Sequence, residues 1–86
     1  ERKVAGQLNI ILRETAESVA KGTPISKATA EGGKRILALG FDKLDYLEIR
    51  DAASLSAYAD DKPTSPARIL VAAKIGKTRL IDNMPV

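Results

Sequence analysis

Residues 67–83 read "ARILVAAKIGKTRLIDN", two apolar runs separated only by Gly76 and Lys77. A two-residue connection that begins with glycine matches a tight hairpin turn of the mirror-image class, in which Gly76 supplies the positive φ. The runs therefore pair as neighbouring antiparallel strands. Pairing Ile75 with Thr78 sets Ala73 opposite Leu80 and Val71 opposite Asp82. Ile69, Val71, Ala73, Ile75 and Leu80 then share one face, the seat for any helices the chain supplies.

Two helices are expected upstream. Val4, Leu8, Ile11, Leu12, Thr15 and Val19 follow the spacing of one helical face over about residues 3–21, and Gly22 can end that helix. "TPIS" restarts the chain, with Thr23 as N-cap and Pro24 in the first helical position. Ile25, Ala28, Gly32, Ile36 and Leu39 form the next stripe, which Gly40 ends. Gly32 falls on that stripe, where a missing side chain lets another element approach closely. "LDYLEIRD" alternates as a half-buried strand, with Leu47 and Ile49 on one side and Tyr46, Glu48 and Arg50 on the other. Asp51 can cap a turn through "AASL", and 56–66 reads as an exposed loop. The fold expected is α+β, two helices packed on one face of a small three-stranded antiparallel sheet that ends in a β-hairpin. Leu8, Leu12, Ile36, Leu47, Ile49, Ile69 and Val71 are its expected core.

"GKT" at 76–78 is also the tail of the phosphate-binding loop of nucleotide-binding proteins. That loop needs a glycine five positions earlier, and Val71 stands there. It also opens a helix, whose free amides and dipole hold phosphate, whereas "TRLID" is a strand pattern. The hairpin turn is the reading these residues support.

With 86 residues there is room for one small domain. Hydrophobic residues make up 44% of the chain, against disorder, but the only aromatics are Phe41, Tyr46 and Tyr58, so the core is aliphatic. Cysteine and histidine are both absent, which removes disulfides, thiolate nucleophiles, histidine triads and common zinc sites. No apolar run approaches the ~20 residues of a membrane span, and no signal peptide is visible. The net charge of +3 admits a nucleic-acid or polyanion partner, but the 14 basic residues are spread among 11 acidic ones. A mixed solvated surface, with no nucleic-acid or membrane partner, is the expectation. The chain opens at Glu1 inside a helical pattern, as a piece of a longer protein would.

The polar residues give no catalytic, cofactor-binding or metal assignment. Asp60-Asp61 reads as a solvated loop pair, since an oxygen-ligand cage needs more donors. Asp42 and Asp45 flank a turn. Lys74, Lys77 and Arg79 lie close to the hairpin, as a charged surface turn would have them. Arg79, Asp82 and Asn83 stand out because they interrupt an apolar strand. Asp82 falls at the end of the core face and needs a partner there. Their role is docking to another domain, internal satisfaction, or both.

"LDYLEIRDAASL" (44–55) followed by "ARILVAAKIGKTRLIDN" (67–83) resembles the C-terminal domain of the pantoate–β-alanine ligases. The "GxxRLIDN" hairpin is the most specific part, the "ExRDAxxL" strand and turn the next. "ERKVAGQLN" at the start resembles the helix that opens this domain, and the likeness covers essentially all 86 residues. The resemblance implies a parent enzyme in which pantoate and ATP form a pantoyl adenylate, which β-alanine attacks to give pantothenate and AMP. It implies ATP and Mg²⁺ as the parent's cofactors, a cytoplasmic location and a homodimer built through the N-terminal domain. That nucleotide-binding domain would be the partner of this one. The family's His-x-Gly-His-type motif and Ser-Ser-Arg loop are not in these residues, so no catalytic residue carries over. The resemblance makes 1–86 a lid domain, inactive by itself. The alternative is a small basic module that binds nucleic acid or another polyanion, against which the aromatic poverty counts.

Overall fold

The computed structural model describes residues 2–86. The expectation attached to Glu1 lies outside the described residues. The chain forms α1 (Arg2–Ala20), α2 (Ile25–Ala38), β1 (Lys43–Asp51), β2 (Ala67–Ile75) and β3 (Thr78–Pro85). The strands make one antiparallel sheet in the order β1-β2-β3. Both helices lie on one face of it, α1 over β3 and β2, α2 over β1. This is the expected α+β arrangement.

In α1 the buried residues are Leu8, Ile11, Leu12, Thr15, Ala16 and Val19, three or four apart, so one stripe enters the core. Thr15 is tolerated in that stripe because its hydroxyl donates to the Ile11 carbonyl at 2.8 Å. From α2 come Ala28, Gly32, Gly33 and Ile36. A Cβ on Gly32 would lie 2.7 Å from Thr15 Oγ1 and 2.9 Å from Leu47 Cδ2. Gly32 is thus where α2 meets α1 and β1 at once, the close approach that its place on the stripe suggests.

The hairpin has the expected register, Ile75 opposite Thr78, Ala73 opposite Leu80 and Val71 opposite Asp82. Gly76 has φ +59°, the left-handed region the turn requires. Ile69, Val71 and Ala73 are fully buried beneath the helices. In β1 the register shifts between Leu44 and Tyr46. The extra residue, Asp45, makes a bulge that keeps Leu44 on the same face as Leu47 and Ile49.

Three expectations are corrected. Leu47 is half-buried instead of buried. It belongs to an edge strand, and although it packs against the core, no further strand covers its flank. The start of α2 also differs. Pro24 has ψ 141°, an extended conformation, so it is the N-cap and Ile25 the first helical residue. A prolyl side chain cannot cap, and the Thr23 hydroxyl is engaged with Ser18 Oγ at 2.8 Å. The cap comes from Asp61 in the long loop. Its carboxylate accepts from the Ser26 amide at 2.8 Å and from the Ser26 hydroxyl at 2.6 Å, while its carbonyl accepts from the Ile25 amide at 2.8 Å. Asp61 is therefore not the freely solvated residue expected of the Asp60-Asp61 pair.

Candidate functional site

The helices leave the second face of the sheet uncovered. The register puts Tyr46, Ala72 and Ile81 in one row across it, and Glu48, Leu70 and Asn83 in the next. Arg50, Arg68 and Pro85 form the row at one end, and Lys43, Lys74 and Arg79 the row at the other. Ala72 is fully buried between its neighbours, although no element is stacked on it. Ile81 is 61% exposed. The face is an apolar centre between two cationic ends.

Arg50, Arg68, Arg79 and Lys43 each have a polar partner within the fold. Arg79 Nε donates to Asp45 Oδ2 at 3.0 Å across the central strand, and Lys43 Nζ lies 3.6 Å from Asp45 Oδ1. Desolvation pushes the Asp45 carboxyl up, but the Arg79 hydrogen bond and the charges of Lys43, Arg79 and Lys74 outweigh it and hold the pKa below its ordinary value. Arg68 Nε donates to Asn83 Oδ1 at 2.6 Å. Arg50 grips Glu48 through Nη2 at 2.9 Å and Nε at 3.4 Å. That hydrogen bonding and the Glu48 charge raise the Arg50 pKa against a smaller effect of desolvation.

Of the three residues singled out in β3, Arg79 and Asn83 lie on the open face with separate partners. Asp82 points the other way, toward α1, where Asn9 Nδ2 donates to its carboxylate at 3.3 Å. The Asn83 amide donates to the other Asp82 oxygen at 2.8 Å. The structure does not bring the three together in one cluster. Asp82 ties β3 to the first helix, and the other two organise the surface of the sheet.

The hairpin turn is closed by a carboxylate. The Gly76 amide donates to Asp42 Oδ2 at 2.6 Å, and the Asp42 amide donates to the Lys74 carbonyl at 2.8 Å. With Gly76 in the left-handed region and β3 following directly, "GKT" here is a hairpin turn.

After β1, the Asp51 carboxylate accepts from the Ser65 hydroxyl, from the Ser54 and Ala53 amides at 2.8 and 2.9 Å, and from the Ser54 hydroxyl. These bonds, the one from Ser65 foremost, hold its pKa down to about 2. This is the turn-capping role its position suggested. The turn ends at Leu55, a non-glycine residue at φ +61° that is half exposed and whose carbonyl accepts from Arg50 Nη1 at 3.1 Å. Asn9, Leu55 and the capping role of Asp61 were not readable in advance. Asn9 and Asp82 are 73 residues apart, and no local pattern connects them.

A shallow groove of about 370 Å³ runs between the helices, lined by Gln7, Ile10, Ile11, Arg35, Ala38 and Leu39. It contains no general base. Among the described residues no three acidic side chains converge as a metal ion would need, and no helix is long and apolar enough to cross a membrane.

The sequence model described as pantoate-beta-alanine ligase matches residues 1–85. The chain belongs to this family. It is 43% identical to the pantothenate synthetase of Mesorhizobium japonicum over 86 residues, 100% of this chain and 29% of that protein. The pantothenate synthetase of a Bradyrhizobium species is 46% identical over 86 residues, 30% of its length. The crystal structure of the Thermus thermophilus pantothenate synthetase superposes with a TM-score of 0.79 and 30% identity, covering 96% of this chain and 29% of that one. The chain thus spans about 30% of the length of the curated relatives it matches.

Proposed function

We propose that residues 1–86 are the C-terminal lid and docking domain of an ATP-dependent ligase. The parent enzyme condenses pantoate with β-alanine through a pantoyl adenylate, releasing pyrophosphate and then AMP, and is a cytoplasmic homodimer. The observation that carries this reading is one of coverage. The chain matches pantothenate synthetases along its whole length yet accounts for under a third of theirs. Its own polar groups support a non-catalytic role, because Asp42, Asp45, Asp51, Asp61 and Asp82 are each engaged inside the fold.

ATP and Mg²⁺ belong to the parent reaction, and the residues present do not fit them. No carboxylate cluster is available for the cation among the described residues, and the Gly76 amide faces Asp42. What this domain contributes is closure. An acyl adenylate hydrolyses readily, so a rigid cover that excludes water preserves it for attack by the amine. The alternative of a module for nucleic acid has little support, because the open sheet face offers only Tyr46 as a stacking surface.

The test is an exchange. The matching segment of the Mesorhizobium relative is replaced by these 86 residues, and AMP release dependent on pantoate and β-alanine is measured. The chimera should turn over, and the relative truncated before the segment should not. A truncated enzyme with full turnover would remove the proposed role.

A further inference from the structure

We infer that the uncovered sheet face, centred on Ala72 and Ile81, is the surface that docks on the remaining polypeptide of the parent ligase, against a protein face whose rim carries carboxylates. This deepens the proposed function and rests on it.

Three observations favour this face over the rest of the surface. It is apolar in the centre, where Leu70 and Tyr46 are half-buried and Ala72 is fully shielded beside the protruding Ile81. Its ends are cationic. Lys43, Lys74 and Arg79 stand around a single Asp45 at one end, and Arg50 and Arg68 beside a single Glu48 at the other. Five cations against two carboxylates leave a positive rim that an acidic partner complements. The three arginines are also held in advance, by Asp45, Asn83 and Glu48, so little side-chain freedom is lost on docking. A partner of the required size exists in the relatives, since this chain covers only 29% and 30% of the two described above.

The competing surface is the groove between the helices, whose margin exposes Ile10. Arg35 is its one charged lining residue and is already paired with Glu14 at 2.5 Å. That surface has no charge pattern to select a partner.

The experiment uses the full-length chimera described above, without nucleotide. Single cysteines are placed by Ile81→Cys, Ile10→Cys and Leu37→Cys. In the structure these positions are 61%, 50% and 47% exposed, so Ile81 should label fastest if nothing covers it. Maleimide labelling is followed by mass spectrometry of the peptide carrying each cysteine. With the sheet face docked, position 81 labels at least tenfold more slowly than positions 10 and 37. Lys74→Glu, which reverses one rim charge on an exposed residue, then speeds labelling at 81 several-fold and leaves position 10 unchanged. Slow labelling at 10 with fast labelling at 81 assigns docking to the helix groove, slow labelling at 37 with fast labelling at 81 assigns it to another flank of α2, and either result overturns the inference. Equal labelling at all three positions also overturns it. Protection of 81 that appears only after ATP and pantoate are added supports the same face, engaged as the lid closes on the rest of the ligase. Turnover of the chimera is a separate reading. A chimera that labels as expected but makes no pantothenate counts against the closure role alone and leaves the docking face standing.

Discussion

At the scale of single residues, Gly32 and Gly6 form a controlled pair. Both lie inside helices, where glycine costs roughly 1 kcal/mol against alanine. A Cβ at Gly6 meets nothing within 4 Å, whereas one at Gly32 meets Thr15 Oγ1 at 2.7 Å and Leu47 Cδ2 at 2.9 Å. The leucine methyl can swing away. The threonine oxygen cannot, because it is buried, bonded to the Ile11 carbonyl and carried on a stiff β-branched side chain. Overpacking of this kind costs about 1–3 kcal/mol, which cancels or exceeds the helical gain. Gly6→Ala should therefore raise the stability read from urea unfolding by up to ~1 kcal/mol, and Gly32→Ala should leave it unchanged or lower it by up to ~2 kcal/mol. A Gly32→Ala protein as stabilised as Gly6→Ala would show that the helices are not in close contact there. Gly76 and Gly32 were both legible in sequence, the first from a two-residue spacing, the second from a small residue on an apolar stripe. Asn9 was not, since its partner is decided by how α1 crosses β3.

At the scale of elements, legibility follows locality. Hairpin register and helix stripes depend on neighbours in sequence, and both are as the sequence predicts. The α2 cap differs because "TPIS" offers a local candidate, Thr23, while the bond that forms comes from Asp61 at a distance of 35 residues. Asp61→Ala should cost about 0.5–2 kcal/mol, the usual worth of a cap. Faster amide exchange confined to the first turn of α2 would accompany it, and an unchanged urea midpoint would contradict the capping role. Asp51 makes the corresponding prediction for the β1 turn. Its folded pKa of about 2 lies below the ordinary 3.8, so the ionised form favours the fold. That contribution is fully present above pH 3.8 and is lost as the pH falls through about 2. In acid melts Asp51→Asn should be less stable than the parent at neutral pH, and the difference should narrow across that window. A constant difference from neutral pH down to about 2 would refute the assignment.

For the whole molecule, one core and two sheet faces divide the work. The helix side holds the fold together through Leu12, Ile36, Ile69 and Val71, all fully buried. The open side carries the apolar row of Tyr46, Ala72 and Ile81 between its cationic ends. The "GKT" turn lies where the two meet, and it decides whether this chain recognises nucleotide by itself. To bind phosphate, Gly76 would have to surrender its 2.6 Å bond to Asp42, leaving that carboxylate beside the incoming anion. Like charges placed so closely repel, and the strand that follows the turn supplies no helix dipole to compensate. Titration of the labelled 86-residue chain with ATP–Mg²⁺ should therefore shift no amide of residues 74–79 at micromolar nucleotide, a concentration that corresponds to about −8 kcal/mol of binding. Saturable shifts there in the micromolar range would reverse the reading of the turn and give this domain a ligand of its own. Weak shifts only at millimolar ATP, spread over Lys74, Lys77 and Arg79 and lost with added salt, are the response of a cationic rim without a built site.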